Sequence, residues 1–286
     1  MESDGVHRRV VDMGRRSCEV REAGDRRDHT IVLLHGWPET SHAWVPMMEL
    51  ACSRAHLVAI DLPGIAGSKA LRGDGTKAQM AHAVHEVITK MELGQVTLVG
   101  QDVGGMVAYA YLWEFADISR CVIMDVVIPG VDPWDDVLRN PAIWHFAFHA
   151  VPELPEILVR GHERPYFDFF YDFLSHDSSK LTSEARNTYA EAYAGASELS
   201  AGFDWYRAFA EDARTNQSRS RDATPAIPLL YLRGEHESGD IDTYAAGLRS
   251  AGIKSVQHRL VPHAGHFPPE ESPGETWRMI SDFAEI

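Results

Sequence analysis

As far as Val126 the chain alternates short apolar runs with longer amphipathic stretches, and few folds accommodate that alternation. The apolar runs are Ile31–Leu34 (IVLL), His56–Ile60 (HLVAI), Val96–Val99 (VTLV) and Cys121–Val127 (CVIMDVV). Their length and β-branched content suit strands buried on both faces. Between them, Trp44–Arg54, Lys77–Met91 and Gly105–Phe115 read as helices. Strands alternating with helices predict a parallel sheet covered on both sides. Ahead of this unit, Val10-Val11 and Cys18–Arg21, parted by Gly14-Arg15, fit a hairpin.

The alternation stops at Pro129-Gly130 and Asp132-Pro133. An aromatic, helix-like region follows to about Asp222, with Tyr166, Phe167, Phe169, Phe170, Tyr171, Trp205 and Tyr206 in it and no run that reads as a buried strand. Strand candidates then return at Ile227–Leu232 and Val256–Val261, and Thr276–Ile286 reads as a closing helix. The predicted organisation is an α/β core over residues 1–128 and 223–286, interrupted by a helical cap over 129–222. A length of 286 residues fits one such interrupted domain.

Composition narrows the class. The 27 basic and 42 acidic side chains leave a formal charge of −15, which disfavours nucleic acid and anionic membranes as partners. Three cysteines, Cys18, Cys52 and Cys121, cannot all pair and show no metal-binding spacing, which points to a reducing compartment. The first residues are charged and lack an apolar core, so no secretory signal is expected, and no apolar run has the length of a membrane span. A cytoplasmic protein without metal or cofactor is the expectation. The oligomeric state stays open, a homodimer included.

Three segments carry chemistry. Leu98–Gly105 (LVGQDVGG) has the form of a nucleophile elbow, G-x-Nu-x-G, with Asp102 where such turns usually carry serine. Glycines permit the sharp strand-to-helix turn, and the helix N-terminus favours negative charge. An aspartate there also suits a plain helix N-cap. His35-Gly36-Trp37-Pro38-Glu39 follows the IVLL run, and the backbone N–H groups of Trp37 and Val103 together suit an oxyanion hole. Val261–Pro268 (VPHAGHFP) offers His266 as a general base, preferred over His263 because it follows a glycine and precedes the last helix.

With these segments the chain resembles the α/β-hydrolase family, specifically its epoxide hydrolase branch, from about His29 to the end. The insertion is similar to that of the Cif-like subgroup, carried by Trp144–Phe148 (WHFAF) and Gly202–Arg207 (GFDWYR) beside HGWP and GQDVGG. The resemblance implies an α/β-hydrolase fold and a ring-opening pair at His145 and Tyr206. It also implies a triad acid at Asp125, with Glu237 as the alternative site after the next core strand. Trp37, Phe146 and Tyr166 are expected to wall the substrate pocket.

A carboxylate nucleophile attacks an sp³ carbon and becomes an ester, which water activated by His266 then hydrolyses. The implied activity is opening of a small-molecule epoxide by water to a vicinal diol. Haloalkane or haloacid dehalogenation with the same nucleophile is the alternative, and a non-catalytic ligand-binding protein is the second. Val103 and Trp37 stand where haloalkane dehalogenases usually carry Trp and Asn, which speaks against a halide site. Met106 and Ala110 likewise stand where fluoroacetate dehalogenases carry arginines.

Overall fold

A computed structural model of the chain describes residues 5–14, 16–68, 75–219 and 224–286. Eight strands form one sheet: β1 (Val6–Asp12), β2 (Ser17–Ala23), β3 (His29–Leu34), β4 (His56–Ile60), β5 (Gln95–Gln101), β6 (Arg120–Met124), β7 (Leu229–Gly234) and β8 (Val256–Val261). Their spatial order is β1-β2-β4-β3-β5-β6-β7-β8. β1 pairs with β2 and β2 with β4 in antiparallel fashion, and every other neighbour is parallel.

The central strands are buried along nearly their whole length and mostly apolar because helices cover both faces. Along β3, Val32 and Leu34 pack into one core cluster while Ile31 and Leu33 pack into the other, on the opposite face. Val45–Ala51 and Pro273–Ala284 cover the second face, and Lys77–Lys90 with Val103–Glu114 cover the first.

β4 and β8 have the bounds expected from sequence, and the hairpin is longer at both strands than its apolar residues suggested. β1 carries exposed His7, Arg8 and Arg9, so a hydrophobic reading passes over it, whereas charge on an edge strand discourages pairing with another chain. The part of the turn at Arg15 lies outside the described residues. β6 ends at Met124 rather than Val127, because Asp125 turns to a φ of +46° and leaves the strand. The helix Ile241–Ser250, which the sequence reading did not assign, supplies the crossover that parallel β7 and β8 require.

Between β6 and β7 the chain forms helices at Trp134–Arg139, Trp144–His149, Leu154–Val159, Glu163–Leu174, Ser183–Ala192, Ala196–Arg207 and Phe209–Ser218. The expected far boundary of this insertion, at residues 222 and 223, lies outside the described residues. The insertion is fastened to the core by polar contacts. Tyr171 and Tyr193 donate their hydroxyls to the carbonyls of Pro38 (2.8 Å) and Glu39 (3.1 Å). Lys77 Nζ reaches Asp212 at 2.8 Å in a buried ion pair, and also donates to the carbonyl of Trp205. Such a pair adds little net stability but is costly to break, so it selects one docking geometry.

Candidate active site

The loops leaving the carboxyl ends of five parallel strands converge, the usual place for a site in an open α/β sheet. β3 delivers His35–Glu39, β5 delivers Asp102, β6 Asp125, β7 Glu237 and β8 His266.

Asp102 sits between β5 and the helix Val103–Glu114 with φ +49° and ψ −124°, a conformation that L-residues rarely adopt. The turn is tight enough to demand glycine on both sides. A Cβ on Gly100 would lie 2.1 Å from the carbonyl oxygen of Gly104, and one on Gly104 would lie 2.3 Å from that of Leu34. The strained turn holds the carboxylate clear of the helix, and helix packing against β5 maintains the strain.

Oδ1 of Asp102 accepts the N–H of Trp37 at 2.9 Å, and the N–H of Val103, at the start of the following helix, also favours the charged carboxylate. These are the two donors expected from sequence. His35, which the sequence reading left without a role, fixes the Trp37 loop. Its Nε2 accepts from the N–H of Leu62 at 2.9 Å, so Nδ1 carries the proton and donates to the carbonyl of Gly36 at 2.8 Å. Burial pushes His35 down to about 4, and the neutral ring acts as a spacer.

Nε2 of His266 lies 3.7 Å from Oδ2 of Asp102. The same ring's Nδ1 lies 3.7 Å from Oε2 of Glu237. Burial would favour a neutral ring, but contact with Asp102 and the charges of Glu237, Asp102 and Asp125 outweigh it and lift His266 to about 9. Asp102 shows the reciprocal effect. Its burial would raise it, yet His266 and the N–H groups of Trp37 and Val103 hold it below its ordinary value. Gln101 donates Nε2–H to the carbonyl of His266 at 2.9 Å and links the base loop to the elbow.

Asp125 and Glu237 both come close, because β6 and β7 are parallel neighbours and the last residue of β6, Met124, pairs with Leu232 near the end of β7. Their side chains differ in aim. Glu237 lies beside Nδ1 of His266 and takes a 3.4 Å contact from Arg233. Oδ1 of Asp125 accepts the N–H of Gly234 at 2.9 Å, and Oδ2 is buried without a partner. Burial, opposed by the charges of Arg233 and His266, pushes Asp125 up to about 8.

Above Asp102 the insertion presents aromatic rings. His145 stacks on Trp37 at 6.4 Å and 13°, and Tyr206 meets Trp37 edge-on at 5.5 Å. His145 and Tyr206 are neighbours at 5.9 Å, both are buried, and both sense the charge of Asp102. Burial lowers His145 to about 4, so the ring is neutral, with Nδ1 sealed from solvent and unpartnered. Phe146 packs against Tyr206 at 5.6 Å and Phe209 at 5.0 Å. The hydroxyl of Tyr166 lies 2.7 Å from Nε2 of His149, a residue that the sequence reading missed. His149 is four residues after His145 on one helix, a spacing that puts both on the same face and was readable in the sequence.

The chain matches the family described as alpha/beta hydrolase fold over residues 29–273. It is 27% identical over 252 residues to a soluble epoxide hydrolase of Corynebacterium sp., covering 86% of each chain. The crystal structure of Cfl2 from Burkholderia cenocepacia is similar at a TM-score of 0.88 and 28% identity, covering 98% of this chain and 96% of that one. The Cif epoxide hydrolase from Acinetobacter nosocomialis shares the fold at a TM-score of 0.85 and 22% identity, with 99% and 90% covered. With a match that runs from the first residue of β3 to the start of the last helix, this chain belongs to the alpha/beta hydrolase fold family.

Proposed function

We propose that the protein opens epoxides to vicinal diols through an ester on Asp102. One observation carries the reading: the aspartate at the elbow has Oδ1 on the N–H of Trp37 and Oδ2 facing His266. A carboxylate held this way presents a nucleophile to carbon, and it already keeps one oxygen where an oxyanion will develop.

In the first step Oδ2 attacks an epoxide carbon and the C–O bond breaks. The alkoxide is held by the Tyr206 O–H and the Nε2–H of His145. The second donor follows from the neutral ring, since a sealed Nδ1 costs less as a bare acceptor than as an unpaired N–H. Formation of the ester removes the negative charge of Asp102, one of the interactions that keep His266 protonated. The imidazolium proton passes to the alkoxide, which leaves a hydroxy-ester and a neutral His266. In the second step the neutral His266 takes a proton from water as the water oxygen bonds to Cγ of Asp102. The oxyanion on Oδ1 is held by the N–H groups of Trp37 and Val103, and its collapse expels the diol, whose departing oxygen takes the proton of the new carboxyl. The resting Asp102 carboxylate and protonated His266 are restored, so protons balance over the cycle.

Glu237 serves as the acid that orients His266 in this reading, displacing Asp125 from the role favoured on sequence. Its carboxylate lies beside Nδ1, whereas Asp125 turns one oxygen to the N–H of Gly234. The inserted helices form the cap, and the protein acts in the cytoplasm. Dehalogenation is disfavoured because Val103 stands directly after the nucleophile where a halide-binding indole would be, and Met106 and Ala110 stand where carboxylate-clamping arginines would be.

The test is mass spectrometry of the His266→Gln protein after incubation with panels of epoxides and haloalkanes. An adduct on Asp102 formed from epoxides, with diol released by the unmodified protein, is expected. Halide release without diol would overturn the reading, and no adduct from either panel would favour a ligand-binding protein.

A further inference from the structure

We propose that Glu271 is a positioning residue for His266, coupling the base loop to the helical insertion; the role assigned to His266 rests on the proposed epoxide chemistry. Glu271 ends the short helix Pro268–Glu271 and is 6% exposed. Its carboxylate accepts four backbone N–H groups from two separate segments. Oε1 takes those of Gly265 at 3.0 Å and Phe267 at 3.1 Å, the residues on either side of His266. Oε2 takes those of His176 at 2.7 Å and Asp177 at 3.0 Å, just beyond the insertion helix Glu163–Leu174.

Four donors fill the acceptor capacity of a carboxylate, and bonds from N–H to an ionised acceptor are among the stronger ones. The remaining N–H of the loop, that of His266, donates to the carbonyl of Leu174 at 3.0 Å. Gly265 has no space for a side chain: a Cβ there would lie 2.5 Å from both the nitrogen of His176 and the oxygen of Leu174. Residues 265–267 therefore rest directly on residues 174–177, with Glu271 bonded to both. A residue needed only to stabilise the base loop would have no use for the second pair of donors. The arrangement sets the height of the His266 ring by the position of the insertion, so a shift of the insertion reaches the base.

Glu271 touches neither Asp102 nor the ring-opening pair, so its loss should split the two chemical steps. Glu271→Gln replaces one acceptor oxygen by an NH₂ group that faces two N–H donors. Glu271→Asp keeps the charge but is one methylene too short to reach both segments.

The experiment combines single-turnover kinetics on terminal epoxides, styrene oxide among them, with NMR titration of the His266 ring. In Glu271→Gln, alkylation is expected within about threefold of the unmodified protein, while ester hydrolysis slows by about 10²-fold. The Asp102 ester then accumulates, and the His266 midpoint moves from its unmodified value. Glu271→Asp is expected to share the defect, showing that reach and not charge matters. Equal slowing of both steps, or an unmoved His266 titration in folded variants, overturns the proposal. Loss of the fold in both variants does so too, since Glu271 would then be structural only. If the unmodified protein alkylates on no epoxide, the proposed function fails, while the His266 titration still decides the positioning role.

Discussion

Nε2 of His266 and Oδ2 of Asp102 face each other across 3.7 Å, longer than a hydrogen bond and short enough for strong mutual attraction. Each changes the proton affinity of the other: against the burial of both, Asp102 is held low and His266 is lifted to about 9. The resting pair is ionic, so the base is charged until the nucleophile is consumed.

Asp102→Asn keeps the elbow but removes the charge. His266 should then titrate well below the value of about 9 that it has beside Asp102. NMR titration of the ring checks this, and an unchanged midpoint would show that Glu237 alone sets it. Diol formation should be lost in the same variant.

Stability should depend on pH through the same pair. A histidine whose folded-state value of about 9 exceeds its ordinary 6.5 stabilises the fold fully below 6.5 and loses that contribution as pH rises through 9. Asp102, held below its ordinary value, contributes above that value and loses its share as pH falls through the depressed one. Urea unfolding of the unmodified protein from pH 6 to pH 10 should show a decline that is absent from His266→Gln, apart from other titrating groups.

Glu237→Gln and Asp125→Asn separate the two acids. With Glu237 beside Nδ1, its removal should slow ester hydrolysis more than alkylation, so that adduct builds up in rapid-quench samples. Asp125→Asn, at a carboxyl that faces the N–H of Gly234 rather than Nδ1 of His266, should split the two steps less. The reverse pattern would return the role to Asp125.

Tyr206→Phe removes one of the two donors assigned to the alkoxide. Loss of such a donor typically costs ~10²–10³ in rate, or about 3–4 kcal/mol. The loss should fall on alkylation, while hydrolysis of an ester already formed proceeds as before. Normal alkylation by Tyr206→Phe would remove the ring-opening pair from the mechanism.

Much of the fold was legible because burial on both faces leaves a direct mark on sequence. IVLL and VTLV have no polar residue except a buried threonine, since helices cover both sides of β3 and β5. Asp102 was legible for a related reason: the glycines around it are required by backbone atoms less than 3 Å from any added Cβ. The charged edge strand β1 and the crossover helix Ile241–Ser250 left weaker marks, because little or only one face of each is apolar.

Sequence alone determined which residue types could act: a carboxylate on a sharp turn, a histidine after the last strand, and a histidine and tyrosine in an aromatic insertion. Only the tertiary structure decided which partner each one meets. Asp125 and Glu237 are both carboxylates after successive core strands, and only the family resemblance favoured Asp125. Parallel pairing of β6 with β7 brings them together, and the +46° φ at Asp125 with the N–H of Gly234 then directs one carboxyl into burial while the other lies beside His266. Glu271 drew no reading from the sequence; its task shows only where the base loop and a segment some hundred residues away turn four N–H groups toward it. Backbone donors leave no signature in a sequence, because every residue but proline has one, and only their convergence in space gives a carboxylate its task.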